Sequence, residues 1–162
     1  MVMQNYNPHG IAPAINSYTP SVMRRQMNSR QRILVVDDDA DICRLHSEVL
    51  RYSGYDVDVV ENGFAAWNAL QSQSYDLIIT DNNMPGITGV DLIKRLKESN
   101  IGTPVIMATG TVPDPKFNDL LLPIPVLLKP YPFADFLKTV KNVLRAHNGE
   151  DGAPPPNWDS ED

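Results

Sequence analysis

Four short apolar runs in this 162-residue sequence each end beside polar side chains whose types suit one another chemically. In chain order these side chains are Asp37, Asp38, Asp39, Asp81, Thr109 and Lys129. Neighbouring carboxylates raise one another's pKa unless a cation lies between them. Such a group is typical of a site for a hard divalent cation with oxygen ligands, such as Mg²⁺. Because Mg²⁺ and a lysine also stabilise the oxygens of a phosphoryl group in transfer, these residues predict an acidic magnesium pocket that handles phosphate.

The elements that must position these side chains are strands alternating with helices. Continuous apolar, β-branched runs predict buried parallel strands at 33–36, 77–80, 104–109 and 125–129, with a further strand at 56–60. After the first strand, an inward stripe predicts a helix that ends before Gly54; the stripe consists of Ile42, Leu45, Val49 and Leu50. Further helices are predicted at 64–72, 89–98 and 133–147. The carboxyl ends of parallel strands meet at one edge, so the polar side chains should converge there.

The segment 110–124 interrupts this alternation. It contains Pro113, Pro115 and Pro123, and Pro125 follows it. Proline removes a backbone donor and restricts the residue before it, so any helix in this segment is predicted to be short.

Composition and charge exclude several classes of protein. The chain is 42% hydrophobic and has one cysteine, so it can form a core without a disulfide framework or a CxxC metal site. Its net charge of -6 argues against binding nucleic acid by bulk charge. No apolar run approaches the roughly 20 residues of a membrane span, and the amino terminus lacks the layout of a secretory signal. We therefore expect a cytoplasmic protein without a membrane segment.

The two ends of the chain differ in charge from each other. Residues 1–32 carry four arginines and no acid, whereas residues 148–162 carry five acids, no base and three consecutive prolines. Both stretches are too poor in apolar residues to offset the entropy of ordering them. We predict flexible tails at 1–32 and 148–162 around one domain at 33–147.

The motifs ILVVDDD, LIITDNNMPGITG, VIMATG and LLKP, in this order, closely resemble the receiver domain of two-component response regulators. The resemblance covers about residues 33–147. It implies an α/β fold of the flavodoxin-like type, with a doubly wound five-stranded parallel sheet in the order 2-1-3-4-5.

The resemblance also implies roles for individual residues. Asp81 matches the phosphoacceptor, and Asp37 and Asp38 match the acidic pair that holds Mg²⁺. Asn83 matches the position whose backbone carbonyl completes the metal shell. Thr109 matches the hydroxyl residue that bonds a phosphoryl oxygen. Lys129 matches the lysine that neutralises that oxygen, and its bond to Pro130 matches one that is usually cis.

Several other residues have simpler expected roles. Asp39 is predicted to cap the first helix, and Gly89 to shape the loop after Asp81. Gly110 is expected to keep the entrance free of a bulky side chain. His46 is expected on the outer side of the first helix. The sequence departs from the receiver pattern at Val126, where an aromatic residue usually reports phosphorylation, so we expect the signal to pass through 110–124 or the last helix.

These features favour a single-domain response regulator that is not itself an enzyme. It would be phosphorylated on Asp81 by a sensor histidine kinase or a histidine phosphotransfer protein, and would act on an unknown downstream protein without a DNA-binding domain. One alternative is an interaction module of receiver fold that is never phosphorylated. Another, a Mg²⁺-dependent phosphatase, would need a second acid where Asn83 stands.

Overall fold

A computed structural model of the chain describes residues 30–149, and most of both predicted tails (1–29 and 150–162) lies outside the described residues. The strands are β1 (Arg32–Val36), β2 (Asp56–Val60), β3 (Leu77–Thr80), β4 (Val105–Thr109) and β5 (Val126–Leu128). The helices are α1 (Ala40–Tyr52), α2 (Gly63–Ser72), α3 (Gly89–Glu98), α4 (Asn118–Leu121) and α5 (Phe133–His147). A 3₁₀ turn, Pro115–Phe117, precedes α4. The predicted elements agree with these bounds to within one residue, and Arg32 already belongs to β1.

The five strands form one parallel sheet in the order β2-β1-β3-β4-β5. This confirms the predicted doubly wound fold. The register sets the position of the polar strand ends. Val36 lies opposite Thr80, so the residues that follow, Asp37 and Asp81, leave the sheet side by side. Thr109 lies opposite Leu128, so Lys129 leaves the sheet beside it.

Two hydrophobic cores lie on opposite faces of the sheet because successive strand residues point to opposite sides. One core joins Leu34, Val36, Ile78 and Met107 to Ala66 of α2 and to Leu92, Ile93 and Leu96 of α3. The other joins Ile33, Val35, Ile79 and Ile106 to Leu50 of α1 and to Phe136, Val140 and Leu144 of α5. Both faces of the sheet are therefore covered, as continuous apolar strands require.

Helix α1 begins and ends as its sequence predicts, but its inward face is rotated from the predicted stripe. The Asp39 carboxylate accepts from the backbone N–H of Asp41 and Ile42, and Gly54, with φ +95°, follows the C-terminal end. Leu45 was predicted inward but is 41% exposed, whereas His46 was predicted outward but is 4% exposed. Both predictions were wrong because α5 packs over the neighbouring side of α1, a contact that helical periodicity alone does not specify.

Strand β5 is an edge strand, and the prediction of full burial was wrong for it. Among the strands of residues 30–149, β4 alone pairs with it, and Val126 and Leu128 are exposed. The preceding segment contains one 3₁₀ turn and one turn of α-helix, which confirms that α4 is short. None of the helices within residues 30–149 has the length and apolar character needed to cross a membrane.

Candidate functional site

The strand ends bring two aspartates onto one lysine. The Lys129 ammonium donates to Asp37 Oδ2 at 2.5 Å and to Asp81 Oδ1 at 3.3 Å. Asp37 is 3% exposed and Asp81 is 6% exposed. The remaining oxygens are also held, since Asp37 Oδ1 accepts from the backbone N–H of Asp39 at 3.0 Å, and Asp81 Oδ2 from that of Asn83 at 2.6 Å. Each carboxylate is thus fixed at both oxygens.

Burial and charge act against each other in this cluster. Desolvation raises the pKa of the Asp37 carboxyl despite the lowering effect of Lys129. Desolvation also acts to lower the pKa of Lys129, but the two aspartates outweigh it and the pKa is raised. The lysine is therefore held in its charged form between the two carboxylates.

The loop after Asp81 is held close to the start of α3. Asn82 accepts through its side chain from the Val90 N–H at 3.1 Å and through its carbonyl from the Gly89 N–H at 3.2 Å. A Cβ on Gly89 would lie 2.3 Å from the Asp81 carbonyl oxygen, so no side chain fits there. This gives the predicted role of Gly89 a steric reason. The sequence analysis did not identify Asn82, although asparagine is favoured where a side chain must bond nearby backbone.

Thr109 is fully buried at the end of β4. The Thr111 N–H approaches Thr109 Oγ1 at 3.4 Å, and the Asn83 amide donates to Thr111 Oγ1 at 2.9 Å. This bond joins the loop after β3 to the loop after β4. A Cβ on Gly110 would contact no protein atom, so local packing does not require glycine at that position.

The predicted metal ligands differ in how the structure places them. Asp37 and Asp81 share Lys129, and Asn83 follows Asp81 in the same loop, whereas the side chain of Asp38 is exposed. Within residues 30–149, no group of three or more histidine, cysteine or acidic side chains is arranged to hold a metal ion. Mg²⁺ usually takes only one or two protein carboxylates and retains several waters. Two buried carboxylates against one ammonium also leave negative charge uncompensated, so these residues fit a hydrated Mg²⁺ ion.

Side chains of α1 and of the loop after β5 lie beside the site. The Cys43 thiol donates to the Asp37 carbonyl at 3.2 Å. Tyr131 lies two residues after Lys129, and its hydroxyl oxygen is 2.9 Å from His46 Nε2. The Lys129–Pro130 peptide bond is cis, as the resemblance implied, and so is Leu122–Pro123, which the sequence analysis did not anticipate. The His46–Tyr131 contact was also missed, because their separation in sequence gives no signal of it.

Comparison with known proteins agrees with this geometry. Residues 33–141 match the family model of the response regulator receiver domain. The chain belongs to this family. Receiver domains are modules of two-component signalling, and phosphorylation and dependence on Mg²⁺ are typical of them.

The curated relatives of this receiver domain include longer proteins. It is 33% identical over 119 residues to SilR of Salmonella typhimurium, a probable transcriptional regulatory protein, covering 72% of this chain and 52% of SilR. It is 36% identical over 118 residues to the 3',5'-cyclic-nucleotide phosphodiesterase regA of Dictyostelium discoideum, covering 70% of this chain and 14% of regA. The chain thus spans about half of SilR and a small part of regA.

Solved structures of receiver proteins share the fold. A CheY-like receiver domain protein of Methanospirillum hungatei JF-1 has a TM-score of 0.70 at 25% identity, covering 75% of this chain and 99% of that chain. The response regulator TrrA of Thermotoga maritima, in complex with Mg²⁺ and BeF, has a TM-score of 0.62 at 30% identity, covering 69% of this chain and 97% of that chain. These matches support the flavodoxin-like receiver architecture.

Proposed function

We propose that this receiver domain is phosphorylated on Asp81 in a Mg²⁺-dependent reaction and signals by binding another protein or by passing the phosphoryl group on. The observation that carries the proposal is the contact of one half-buried lysine with two buried aspartates at the carboxyl edge of the sheet. A carboxylate nucleophile needs its charge offset as a phosphoryl group approaches, and Lys129 is in contact with Asp81 to provide this.

The transfer step uses a phosphohistidine of a sensor histidine kinase or histidine phosphotransfer protein as donor. An Asp81 carboxylate oxygen forms a bond to phosphorus as the phosphorus–nitrogen bond of the donor breaks. The bonding electrons and a proton from solvent go to the departing imidazole. Hydrolysis later adds water to the acyl phosphate, which returns the Asp81 carboxylate and inorganic phosphate. Lys129 and the Thr109 hydroxyl would bind the phosphoryl oxygens in the product.

The metal would be held by Asp37, Asp38, Asp81 and the Asn83 carbonyl. When bound, Mg²⁺ supplies positive charge that offsets the negative charge of the phosphoryl oxygens and of the nucleophile. Asp37 and Asp81 are already fixed by backbone N–H groups, so binding the ion requires little ordering of these two side chains.

The domain would act as a switch rather than as an enzyme with its own substrate. Phosphorylation adds charge at Asp81, and a coupled surface then changes its affinity for a partner, typically by ~1–3 kcal/mol in such switches. Its downstream target is a protein.

Intact-mass measurement after incubation with acetyl phosphate and Mg²⁺ tests the proposal. We expect one added phosphoryl group on the wild-type chain and none on Asp81→Asn or after Mg²⁺ is chelated. Asp76→Asn is the matched control, because Asp76 is exposed just before β3, and it should be phosphorylated like the wild type. An unmodified wild-type chain would favour a phosphorylation-independent interaction module instead.

A further inference from the structure

Three aromatic side chains from three different elements stack beside the phosphorylation site. His46 comes from α1, Tyr131 from the loop between β5 and α5, and Phe136 from α5. The ring of His46 lies 4.6 Å from that of Phe136 and 6.0 Å from that of Tyr131, with interplanar angles of 16° and 7°. His46 is 4% exposed and Phe136 is fully buried. The stack therefore joins α1, α5 and the loop that carries Lys129.

Within the stack, one hydrogen bond joins His46 to Tyr131. The hydroxyl oxygen of Tyr131 lies 2.9 Å from His46 Nε2. Desolvation, reinforced by the charge of Lys129, lowers the pKa of His46 to about 4. Desolvation, reinforced by Asp37 and Asp81, raises the pKa of Tyr131. At neutral pH the phenol keeps its proton and the imidazole is neutral, so the Tyr131 hydroxyl and His46 Nε2 form one hydrogen bond, in which the tautomer of the imidazole sets the donor.

The His46–Tyr131 hydrogen bond lies close in sequence and structure to the residues that form the Asp37–Lys129 ion pair. Tyr131, which bonds His46, lies two residues after Lys129. Cys43 lies one helical turn before His46, and its thiol donates to the Asp37 carbonyl. Helix α1 thus contacts the backbone of Asp37 at one turn and the loop of Lys129 at the next. The side chains of α1 therefore hold the backbone of Asp37 and the loop of Lys129, the two partners of this ion pair.

We propose that His46 is a positioning residue for phosphoryl transfer, which fixes Tyr131 and thereby holds the Lys129 ammonium between Asp37 and Asp81. This inference rests on the proposed function for its effect on rate. A lysine side chain has several rotatable bonds, so its location depends on how firmly its backbone is held. His46 packs against the ring of Phe136, and its imidazole also forms a directional hydrogen bond with Tyr131. An aliphatic residue at this position could pack but could not form that bond.

Matched variants separate the hydrogen bond from ring packing. Tyr131→Phe removes the hydroxyl and keeps the stacked ring. His46→Met removes the hydrogen-bonding nitrogen, whereas His46→Gln retains an amide that can donate or accept on a side chain of similar reach. Each variant and the double variant of Tyr131→Phe with His46→Met are studied in the full chain. The readouts are the initial rate of Asp81 phosphorylation against acetyl phosphate concentration, the ¹H–¹⁵N signal of the Lys129 ammonium, and urea unfolding.

A positioning role predicts a specific pattern. Tyr131→Phe and His46→Met should each lower the maximal rate about fivefold at an unchanged half-saturating acetyl phosphate concentration. The double variant should be no slower than either single variant, and His46→Gln should stay close to the wild type. The Lys129 ammonium signal should broaden in the two slow variants before any phosphodonor is added.

Other results would overturn the inference. Wild-type rates in Tyr131→Phe and His46→Met, with a lower free energy of unfolding, would leave the bond a purely structural role. Additive effects in the double variant would show that the two residues act separately. If the wild-type chain takes no phosphoryl group, the proposed function fails, and the Lys129 ammonium signal still decides whether the bond positions the lysine.

Discussion

The Lys129 ammonium lies 2.5 Å from Asp37 Oδ2, although 92 positions separate these residues in sequence. The contact joins the end of β1 to the end of β5, two strands that are not neighbours in the sheet. Asp81 completes the cluster from β3, which lies next to β1. The ion pairs of the site therefore span most of the width of the sheet, and the loss of this one lysine should affect both aspartates.

Replacing Lys129 by methionine should destabilise the domain in a pH-dependent way. At pH 7 the change leaves two buried carboxylates without a counter-charge, which should cost about 3–5 kcal/mol. Burial already raises the pKa of Asp37, and loss of the lysine raises it further. A carboxyl with a raised folded-state pKa loses stability as pH rises from its unfolded-state pKa of 3.8 to its folded-state pKa, so the deficit should shrink as pH falls from 7 to 4. Urea unfolding at pH 7 and pH 4 measures this deficit.

The control for this change is Lys138→Met, which removes an exposed lysine of α5. Its free energy of unfolding should stay within about 0.5 kcal/mol of the wild type at both pH values. An equal deficit for Lys129→Met at pH 4 and pH 7 would contradict a role of the lysine as counter-charge.

A methyl group on Gly89 should displace the loop that carries the phosphoacceptor. In Gly89→Ala the Cβ would lie 2.3 Å from the Asp81 carbonyl oxygen and 3.0 Å from the Asn82 Cα, both backbone atoms that cannot rotate away. We expect a loss of about 1–3 kcal/mol of unfolding free energy and slower phosphorylation. Gly102→Ala is the control, because a Cβ there meets no atom within 4 Å. Equal stability of the two variants would show that the loop moves at little cost.

The buried imidazole of His46 should make the domain less stable in mild acid. Its pKa is lowered from 6.5 to about 4, so the unfolded chain binds a proton between these values that the folded domain does not. This contribution to stability is complete above pH 6.5 and is lost as pH falls towards 4, by on the order of 3 kcal/mol in all. Between pH 7 and pH 4, the wild type should therefore lose more stability than His46→Met, as measured by urea unfolding.

His147→Asn is the control for loss of an imidazole, since His147 is exposed in the last turn of α5. It should follow the wild type across this pH range. A difference between the wild type and His46→Met that is constant from pH 7 to pH 4 would show that His46 is not a buried neutral base.

Activation should be transmitted through the segment 110–124 or through α5. The usual aromatic position of β5 is occupied by Val126, which cannot act as a rotating ring. The segment is connected to the site through the Thr111–Asn83 hydrogen bond, and the Leu120 carbonyl accepts from the Lys97 ammonium of α3. Addition of beryllofluoride and Mg²⁺ should shift amide signals of this segment or of α5. Asp81→Asn should show no such shifts, and shifts confined to other regions would contradict the prediction.

The elements and the types of residue at the site could be predicted from local patterns in the sequence. Continuous apolar, β-branched runs indicate strands, so four of the five strands were recognisable from these runs, and their polar ends followed directly. The capping aspartate Asp39 and the prolines of 110–124 act through local geometry, which explains why α1 begins and α4 stays short as predicted. The strand order came from the resemblance of the motifs.

Which side chains meet depends on the packing of the folded chain. Helical periodicity shows that α1 has an apolar stripe, but the contact of His46 with Phe136 of α5 lies beside that stripe, so His46 is buried and Leu45 is exposed. An apolar run likewise does not show that β5 lies at the edge of the sheet, where Val126 and Leu128 are left partly uncovered. The His46–Tyr131 bond depends on both arrangements, because it joins elements 85 positions apart whose approach is set by packing of the whole α1–α5 face.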